Sequence, residues 1–240
     1  MRFAQEYIDR LIEGIKKVPL EHYEVIANVI LDAYEHDRQV LIFGNGGSAA
    51  IASHMACDLG KGTLSNIYDH EERRFRVISL TDNMATFSAL ANDVGYEHVF
   101  SQQLRNFVQP HDIVIGISGS GNSANVINAF LLAKNLGAVT VGFVGFDGGK
   151  MKRFCDYVLH FEERNWQRCE DAHLIFQHLI TSYIAEKKQE RDAANRVRRS
   201  SNGELPIAAP VSAASWHEPT VEKFPVSSST PAVAPFQPMS

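Results

Sequence analysis

Short runs of apolar residues alternate along the chain with longer segments in which apolar residues recur every three or four positions. The short runs predict five β-strands, at Val40–Phe43, Phe75–Leu80, Asp112–Ile117, Ala138–Val144 and Asp156–Phe161. Strands that are separated by helices need crossover connections, and such connections place the strands in parallel. The pattern therefore predicts an α/β fold, in which helices cover a parallel sheet on both faces.

Helices flank this alternating region on both sides, and a tail of different composition follows it. Helical periodicity and composition predict Phe3–Lys17, Leu20–His36 and a last helix from about Trp166 to Lys188. Beyond about Ala193 the apolar period is lost, and proline and serine become frequent. Such a segment cannot bury enough apolar surface to offset the entropy lost on ordering. We therefore predict one domain over residues 1–190 and a disordered Pro- and Ser-rich tail over residues 191–240.

Charge and cysteine content narrow the classes of partner. The 240 residues carry a net charge of −5, with both signs mixed along the chain, so no long-range field favours nucleic acid or an anionic membrane. The three cysteines show no CxxC spacing, and no apolar run approaches the length of a membrane span. The N-terminal segment lacks the apolar core of a signal peptide. These features predict a soluble cytoplasmic protein whose partners are small metabolites or proteins.

Two glycine-rich turns each follow a strand and precede a helix. The first reads GNGGS over residues 44–48, and the second reads SGSGNS over residues 118–123. Backbone amides at a helix N-terminus favour negative charge, and serine hydroxyls add donors, so both turns are candidate phosphate sites. Alternatively, the glycines serve only the backbone angles and the serines only cap helices. Neither turn matches GxxxxGK[ST] or GxGxxG, which makes nucleotide binding the weaker interpretation.

Imidazoles and carboxylates are grouped on two predicted helices. His54 and Asp58 are four residues apart and share one helical face. The last helix carries Glu170, Asp171, His173 and His178. These groups suit a first-row divalent metal, and they also suit proton transfer near neutral pH. The alternative is an ordinary surface pair with His178 in the core, and spacing alone does not choose between Glu170 and Asp171.

The order of these motifs resembles that of the phosphoheptose isomerases, which are sugar-isomerase (SIS) domain enzymes. The shared motifs are GNGGS, HxxxD, SLTDN, the Ala91–Asp93 triplet, ISGSGNSANVI, FDGGKM and RCEDAHLIFQH. The resemblance covers about residues 1–188 and leaves out the tail. It implies a flavodoxin-like three-layer sandwich, a homotetramer with active sites between subunits, and one zinc ion per subunit. It also implies conversion of sedoheptulose 7-phosphate to D-glycero-D-manno-heptose 7-phosphate, a precursor of nucleotide-activated heptose.

The resemblance also assigns roles to individual residues. Ser118, Ser120 and Ser123 would bind the phosphate, while Asn45, Ser48 and Asp93 would orient sugar hydroxyls. Asp58 would be the catalytic base and His178 the acid. The implied metal ligands are His54, Asp58, Glu170 and His178. The full set of implied substrate contacts is Asn45, Gly46, Gly47, Ser48, Asn92, Asp93, Ser118, Gly119, Ser120, Asn122, Ser123 and Glu170.

The sequence departs from the family pattern at three positions. Gly119 stands where the family more often has threonine. Asp58 replaces a glutamate, which retracts the carboxylate by one methylene, about 1.5 Å. Glu170 replaces a glutamine and adds a negative charge near the implied metal. These changes leave open an isomerase of another sugar phosphate, and also a non-catalytic SIS protein that senses sugar phosphates or acts as an adaptor for the replication initiator.

Overall fold

The structure is a computed structural model, and it describes residues 2–201. Five parallel strands form one sheet in the order β2-β1-β3-β4-β5. The strands are β1 Gln39–Gly44, β2 Arg76–Ser79, β3 Ile113–Ser118, β4 Val139–Val144 and β5 Tyr157–His160. The helices are α1 Arg2–Ile15, α2 Leu20–Glu35, α3 Gly47–Cys57, α4 Met84–Asp93, α5 Val99–Phe107, α6 Ala124–Asn135 and α7 Trp166–Ser201. The predicted five-stranded parallel α/β fold is therefore confirmed.

The central strands are buried on both faces because helices cover both sides of the sheet. Alternate residues of β1 belong to different cores: Ile42 faces a cluster that includes residues of α2, α3 and α7, whereas Phe43 faces a cluster with α5 and α6. This double burial explains why the strands read as continuous apolar runs instead of alternating ones. Gly116 of β3 completes the packing, because a Cβ there would lie 2.6 Å from the Phe130 ring.

The last helix is longer than the sequence analysis predicts. It ends at Ser201 and not near Lys188, so residues 191–201 of the predicted disordered tail are helical. The segment QERDAANRVRR is rich in alanine and in long charged residues, which favour helix, and the first glycine after it is Gly203. The rest of the predicted tail, residues 202–240, lies outside the described residues. Within residues 2–201, no helix combines the length and apolar character needed to cross a membrane.

His173, one of the imidazoles that the sequence groups on α7, is buried in the core. Its ring lies between Phe143 and Phe176, with centroid distances of 6.1 Å and 6.2 Å. Burial lowers the pKa of His173 from 6.5 to about 4. The imidazole is therefore neutral in the folded protein at pH values where the unfolded chain already binds a proton.

This difference predicts a loss of stability in acid. As the pH falls from about 6.5 towards 4, only the unfolded state gains the proton of His173, which costs about 3 kcal/mol of folding free energy near pH 4. His173→Leu is expected to flatten the pH dependence in this window, measured by urea unfolding at several pH values. His22→Gln, which changes an exposed histidine, is the control. Equal slopes for His173→Leu and the wild type would contradict the assignment.

Candidate active site

The first glycine-rich turn joins β1 to α3. Gly46 has φ 56° and ψ −123°, a conformation that favours glycine, and a Cβ there would meet no atom within 4 Å. The backbone angle, and not lack of space, therefore requires this glycine. No side chain caps the start of α3, and Ser48 is buried in its first turn.

The carboxylate of Glu170 already lies beside this turn. A Cβ on Gly47 would stand 2.3 Å from Glu170 Oε1, so a side chain at position 47 would displace the Glu170 carboxylate. A negative charge near a helix N-terminus is favourable, and here the protein supplies it from α7. A phosphate at the same place would meet the carboxylate. The first turn is therefore the weaker of the two candidate phosphate sites.

The serine-rich turn between β3 and α6 gathers its hydroxyls on one short loop. Ser118 Oγ lies 3.5 Å from Ser123 Oγ and accepts a hydrogen bond from the Gly121 amide at 3.2 Å. The Asn122 amide donates to Ser120 Oγ at 3.2 Å. Ser123 is the N-cap of α6, but its side chain makes no capping bond. The hydroxyls and the start of α6 together offer several hydrogen-bond donors, so this turn is a candidate site for an oxyanion.

A second loop, residues 145–151, supports the serine-rich turn through backbone contacts. The amides of Gly145 and Met151 donate to the carbonyl oxygens of Gly119 and Gly121, both at 2.9 Å. A Cβ on Gly121 would lie 2.2 Å from the Gly148 carbonyl oxygen, so the two backbones touch. The FDGGKM motif therefore acts as a support for the turn.

The sheet brings the two turns together. β1 and β3 are neighbours, with Gly44 paired to Ile117. Helix α3, which follows β1, and helix α6, which follows β3, lie on opposite faces of the sheet. This is the switch point of a 2-1-3-4-5 sheet, where ligands of such folds bind. A direct contact also joins the first turn to the helix that follows the second, because Asn45 Nδ2 donates to Asn125 Oδ1 of α6 at 2.9 Å.

Two histidines and an aspartate meet where α7 packs on α3. His54 Nε2 lies 3.5 Å from Asp58 Oδ2, His178 Nε2 lies 3.7 Å from the same oxygen, and the two nitrogens are 3.5 Å apart. His178 is exposed, so it is not the core residue that the alternative interpretation required. A π-helical turn, Asp58–Gly62, begins at the aspartate, and its shortened side chain still approaches both histidines.

The triangle formed by these three atoms fits a metal ion. In a tetrahedral zinc site with bonds of about 2.1 Å, adjacent ligand atoms are roughly 3.4 Å apart. The observed separations of 3.5–3.7 Å approach this value. Two imidazole nitrogens and a carboxylate oxygen are also suitable donors for first-row divalent metals. His54, Asp58 and His178 therefore form a possible metal site.

Gln177 orients the carboxylate of this site and was missed by the sequence analysis. It is fully buried, and its Nε2 donates to Asp58 Oδ2 at 3.2 Å. Such a bond restrains a ligand carboxylate. Glutamine does not titrate and is an uncommon metal ligand, so its residue type alone does not indicate a role at this site. A polar residue at position 177, within the buried apolar face of α7, was the available signal.

The fourth predicted ligand, Glu170, does not join the other three in this structure. The metal-capable cluster found among the described residues comprises His54, Asp58 and His178. Glu170 precedes His178 by eight residues, about 12 Å along a helix, and its carboxylate lies against Gly47. Asp171, the other carboxylate considered, accepts a hydrogen bond from the Tyr7 hydroxyl. Burial and this bond raise the pKa of Tyr7 to about 12.

The predicted contacts Asn92 and Asp93 lie at the end of α4. Asn92 Nδ2 donates to Asp93 Oδ1 at 2.9 Å, and both residues are exposed. Among the described residues, no hydrogen bond joins either side chain to the two turns. The segment nevertheless approaches the first turn, because the Tyr96 hydroxyl donates to Asn45 Oδ1 at 2.8 Å. Tyr96 and Asn125 are thus two further site residues that the sequence analysis missed.

The fold and the site together define an SIS-domain protein, and the SIS domain family profile matches residues 4–145. The phosphoheptose isomerase of Aliarcobacter butzleri is 39% identical over 180 residues, which cover 75% of this chain and 90% of that relative. The chain belongs to the phosphoheptose isomerase family. The resemblance stated from the motifs is therefore confirmed.

Further members of the family agree in sequence and in structure. The phosphoheptose isomerase of Aquifex aeolicus is 34% identical over 196 residues, covering 75% of this chain and 100% of that relative. The solved phosphoheptose isomerase structure from Neisseria gonorrhoeae superposes with a TM-score of 0.70 at 29% identity. That match covers 77% of this chain and 97% of the other. The similarity therefore spans nearly the whole of these relatives.

Proposed function

We propose that the protein converts sedoheptulose 7-phosphate to D-glycero-D-manno-heptose 7-phosphate through an enediol, for nucleotide-activated heptose synthesis. Membership of the family makes the chain a sugar phosphate isomerase, and its relatives are named phosphoheptose isomerases. The observation that carries the proposal is the triangle of His54, Asp58 and His178. Its groups are of the types that can donate a proton, accept a proton and bind a metal ion.

The serine-rich turn would bind the phosphate. Its hydroxyls and the uncapped start of α6 offer several donors to one oxyanion, whereas the first turn already holds a carboxylate. The supporting loop fixes these donors before the ligand arrives, so little reorganisation accompanies binding. In this arrangement the phosphate contributes orientation, and the chemistry takes place at the other end of the sugar.

The proton transfers are assigned to Asp58 and His178. Isomerisation removes a proton from C1 and protonates the C2 carbonyl oxygen, which forms a 1,2-enediol. A proton then returns to C2 while the C1 hydroxyl loses its proton and becomes the aldehyde. Asp58 would take the carbon-bound proton through Oδ1, because Oδ2 faces the two histidines and Gln177. His178 would give its proton to the C2 oxygen. Each such transfer typically contributes 10²–10⁴ in rate.

His54, Asp58 and His178 would hold a zinc ion, which supplies Lewis-acid polarisation of substrate oxygens. One lone pair on His178 Nε2 cannot hold an ion and a proton at the same time. The two roles of this residue therefore compete, and the dependence of the rate on zinc separates them. Glu170 remains a candidate ligand in this proposal only if its side chain leaves Gly47.

A cytoplasmic homo-oligomer, with a tetramer as the expected form, completes the proposal. Helix α1 is amphipathic but has no buried residue, and its Phe3, Ile8 and Ile12 are exposed. An apolar stripe of this kind is typical of a helix that packs against another copy or another protein.

The reaction can be tested directly by proton NMR. Purified protein is incubated with sedoheptulose 7-phosphate, with and without added zinc, and the anomeric region is followed over time. We expect new heptose anomeric signals, which appear faster with zinc. Unchanged ketose at high protein concentration would contradict the proposal. Conversion of a different ketose phosphate alone would identify another isomerase, and binding without conversion would indicate a sugar phosphate sensor.

A further inference from the structure

The side chain of Asn45 is almost fully engaged by other protein groups. Its Oδ1 accepts hydrogen bonds from the Tyr96 hydroxyl at 2.8 Å and from Asn125 Nδ2 at 2.9 Å. Its Nδ2 donates to Asn125 Oδ1 at 2.9 Å. An amide oxygen has two lone pairs and an amide nitrogen has two protons. Within the described part of the chain, the only unused group of this amide is therefore one N–H of Asn45.

A backbone N–H group determines the orientation of the Asn45 side-chain amide by way of Asn125. The Val126 amide can only donate, and it donates to Asn125 Oδ1 at 2.9 Å. Oδ1 of Asn125 must therefore face α6, and its Nδ2 must face Asn45. The same logic then requires Oδ1 of Asn45 to face Asn125 Nδ2 and Tyr96. A reversed amide at position 45 would set donor against donor and oxygen against oxygen.

We propose that Tyr96 and Asn125 are positioning residues that hold the Asn45 amide as a fixed hydrogen-bond donor towards a substrate oxygen. The proposal rests on the proposed function, since it assigns these residues to the same sugar phosphate site. The group formed by Asn45, Tyr96 and Asn125 is called the amide clamp below. It also ties the first turn to the helix that follows the serine-rich turn.

The clamp limits what Asn45 can recognise. A free amide donates to one hydroxyl and accepts from another, but the clamped amide can only donate. Its partner must then be a lone pair, as on a carbonyl, a hydroxyl acceptor or an oxygen that gains negative charge in the reaction. A donor held in place before the reaction stabilises developing charge without reorganising. We therefore expect loss of the clamp to reduce kcat more than it raises KM.

A double-mutant cycle tests whether Tyr96 acts through Asn45. Tyr96→Phe removes only a hydroxyl and is expected to lower kcat/KM about tenfold, as the loss of one hydrogen bond allows. Asn125→Ala is expected to lower it at least as much. In an Asn45→Ala background, Tyr96→Phe should have no further effect beyond twofold. An equal loss in both backgrounds would show that Tyr96 acts on its own, and would overturn the proposal.

Asn128→Ala is the matched control. Asn128 lies on the same helix as Asn125, and its Nδ2 donates at 2.9 Å to the Glu97 carbonyl, next to Tyr96. The variant removes one bond between the same two segments without touching Asn45. We expect its kcat to stay within twofold of the wild type. If Asn128→Ala lost as much activity as Tyr96→Phe, the effect of Tyr96 would be explained by the local stability of these two segments. That result would also overturn the proposal.

Side-chain NMR separates failure of the clamp from failure of the proposed function. In protein labelled with ¹⁵N-asparagine, one Nδ2 proton of Asn45 should exchange slowly with solvent and the other rapidly, and Tyr96→Phe should shift both signals. Asn45→Ala identifies these signals. Fast exchange of both protons would overturn the clamp. If the wild type does not isomerise sedoheptulose 7-phosphate, the proposed function fails, and the exchange rates still decide whether the clamp exists.

Discussion

Replacing Asp58 by asparagine is expected to lower kcat about a thousandfold, with KM changed no more than about threefold. Asparagine has nearly the same shape but cannot accept the carbon-bound proton. It can still accept a hydrogen bond from Gln177, so the packing of α3 on α7 is retained. The measurement is steady-state kinetics on the sugar phosphate. It is repeated at saturating zinc so that an effect of weaker metal binding is not mistaken for loss of the base.

The chain contains a matched control for this change. Asp32 and His36 form another aspartate–histidine pair one helical turn apart, with Asp32 Oδ1 3.2 Å from His36 Nδ1, and both side chains are exposed. Asp32→Asn is expected to leave turnover at the wild-type level, because no third metal-binding group converges on this pair among the residues that the structure describes. Full activity in Asp58→Asn would refute the assignment of the base.

Replacing Ser120 by aspartate is expected to raise KM about a hundredfold, through repulsion between the new carboxylate and the substrate phosphate. Ser120 accepts from the Asn122 amide within the serine-rich turn, so the carboxylate would project from the same loop. Because the phosphate contributes binding, kcat at saturating substrate should fall much less than kcat/KM. Calorimetric titration with inorganic phosphate should show the same loss of affinity without any reaction.

Ser88→Asp is the control for the added charge. Ser88 is exposed on α4, and its hydroxyl donates to the Ala85 carbonyl at 3.2 Å. The variant changes the net charge by the same amount, away from the serine-rich turn, so KM should stay near that of the wild type. An unchanged KM in Ser120→Asp would place the phosphate elsewhere.

Residues 118–123 show how far a local pattern predicts a site. The serines, the glycines and the preceding apolar run are consecutive in sequence, so the turn and its place before a helix could be predicted without tertiary information. The loop that supports this turn could not be predicted in the same way. The 145–151 loop contacts it through backbone atoms, and backbone hydrogen bonds leave little trace in the identity of side chains beyond the need for glycine.

Helix α7 shows the opposite case. Its sequence carries Glu170, Asp171, Gln177 and His178 within nine positions. The structure directs Glu170 to the first turn, Asp171 to Tyr7, and Gln177 and His178 to Asp58. Periodicity states which residues share a face, but the neighbour of each face depends on how α7 lies across α1, α3 and the sheet.

By itself, the sequence determined the parallel α/β fold, the two turns and the pairing of His54 with Asp58, because each of these depends on residues close together in the chain. The tertiary structure decided which carboxylate meets His178, that Gln177 holds it, and that Asn45 is locked by Tyr96 and Asn125. Those choices depend on distances between residues 50 to 120 positions apart. Only the packing of helices on the sheet establishes such distances, since a hydrogen bond requires its two atoms to meet within about 3 Å.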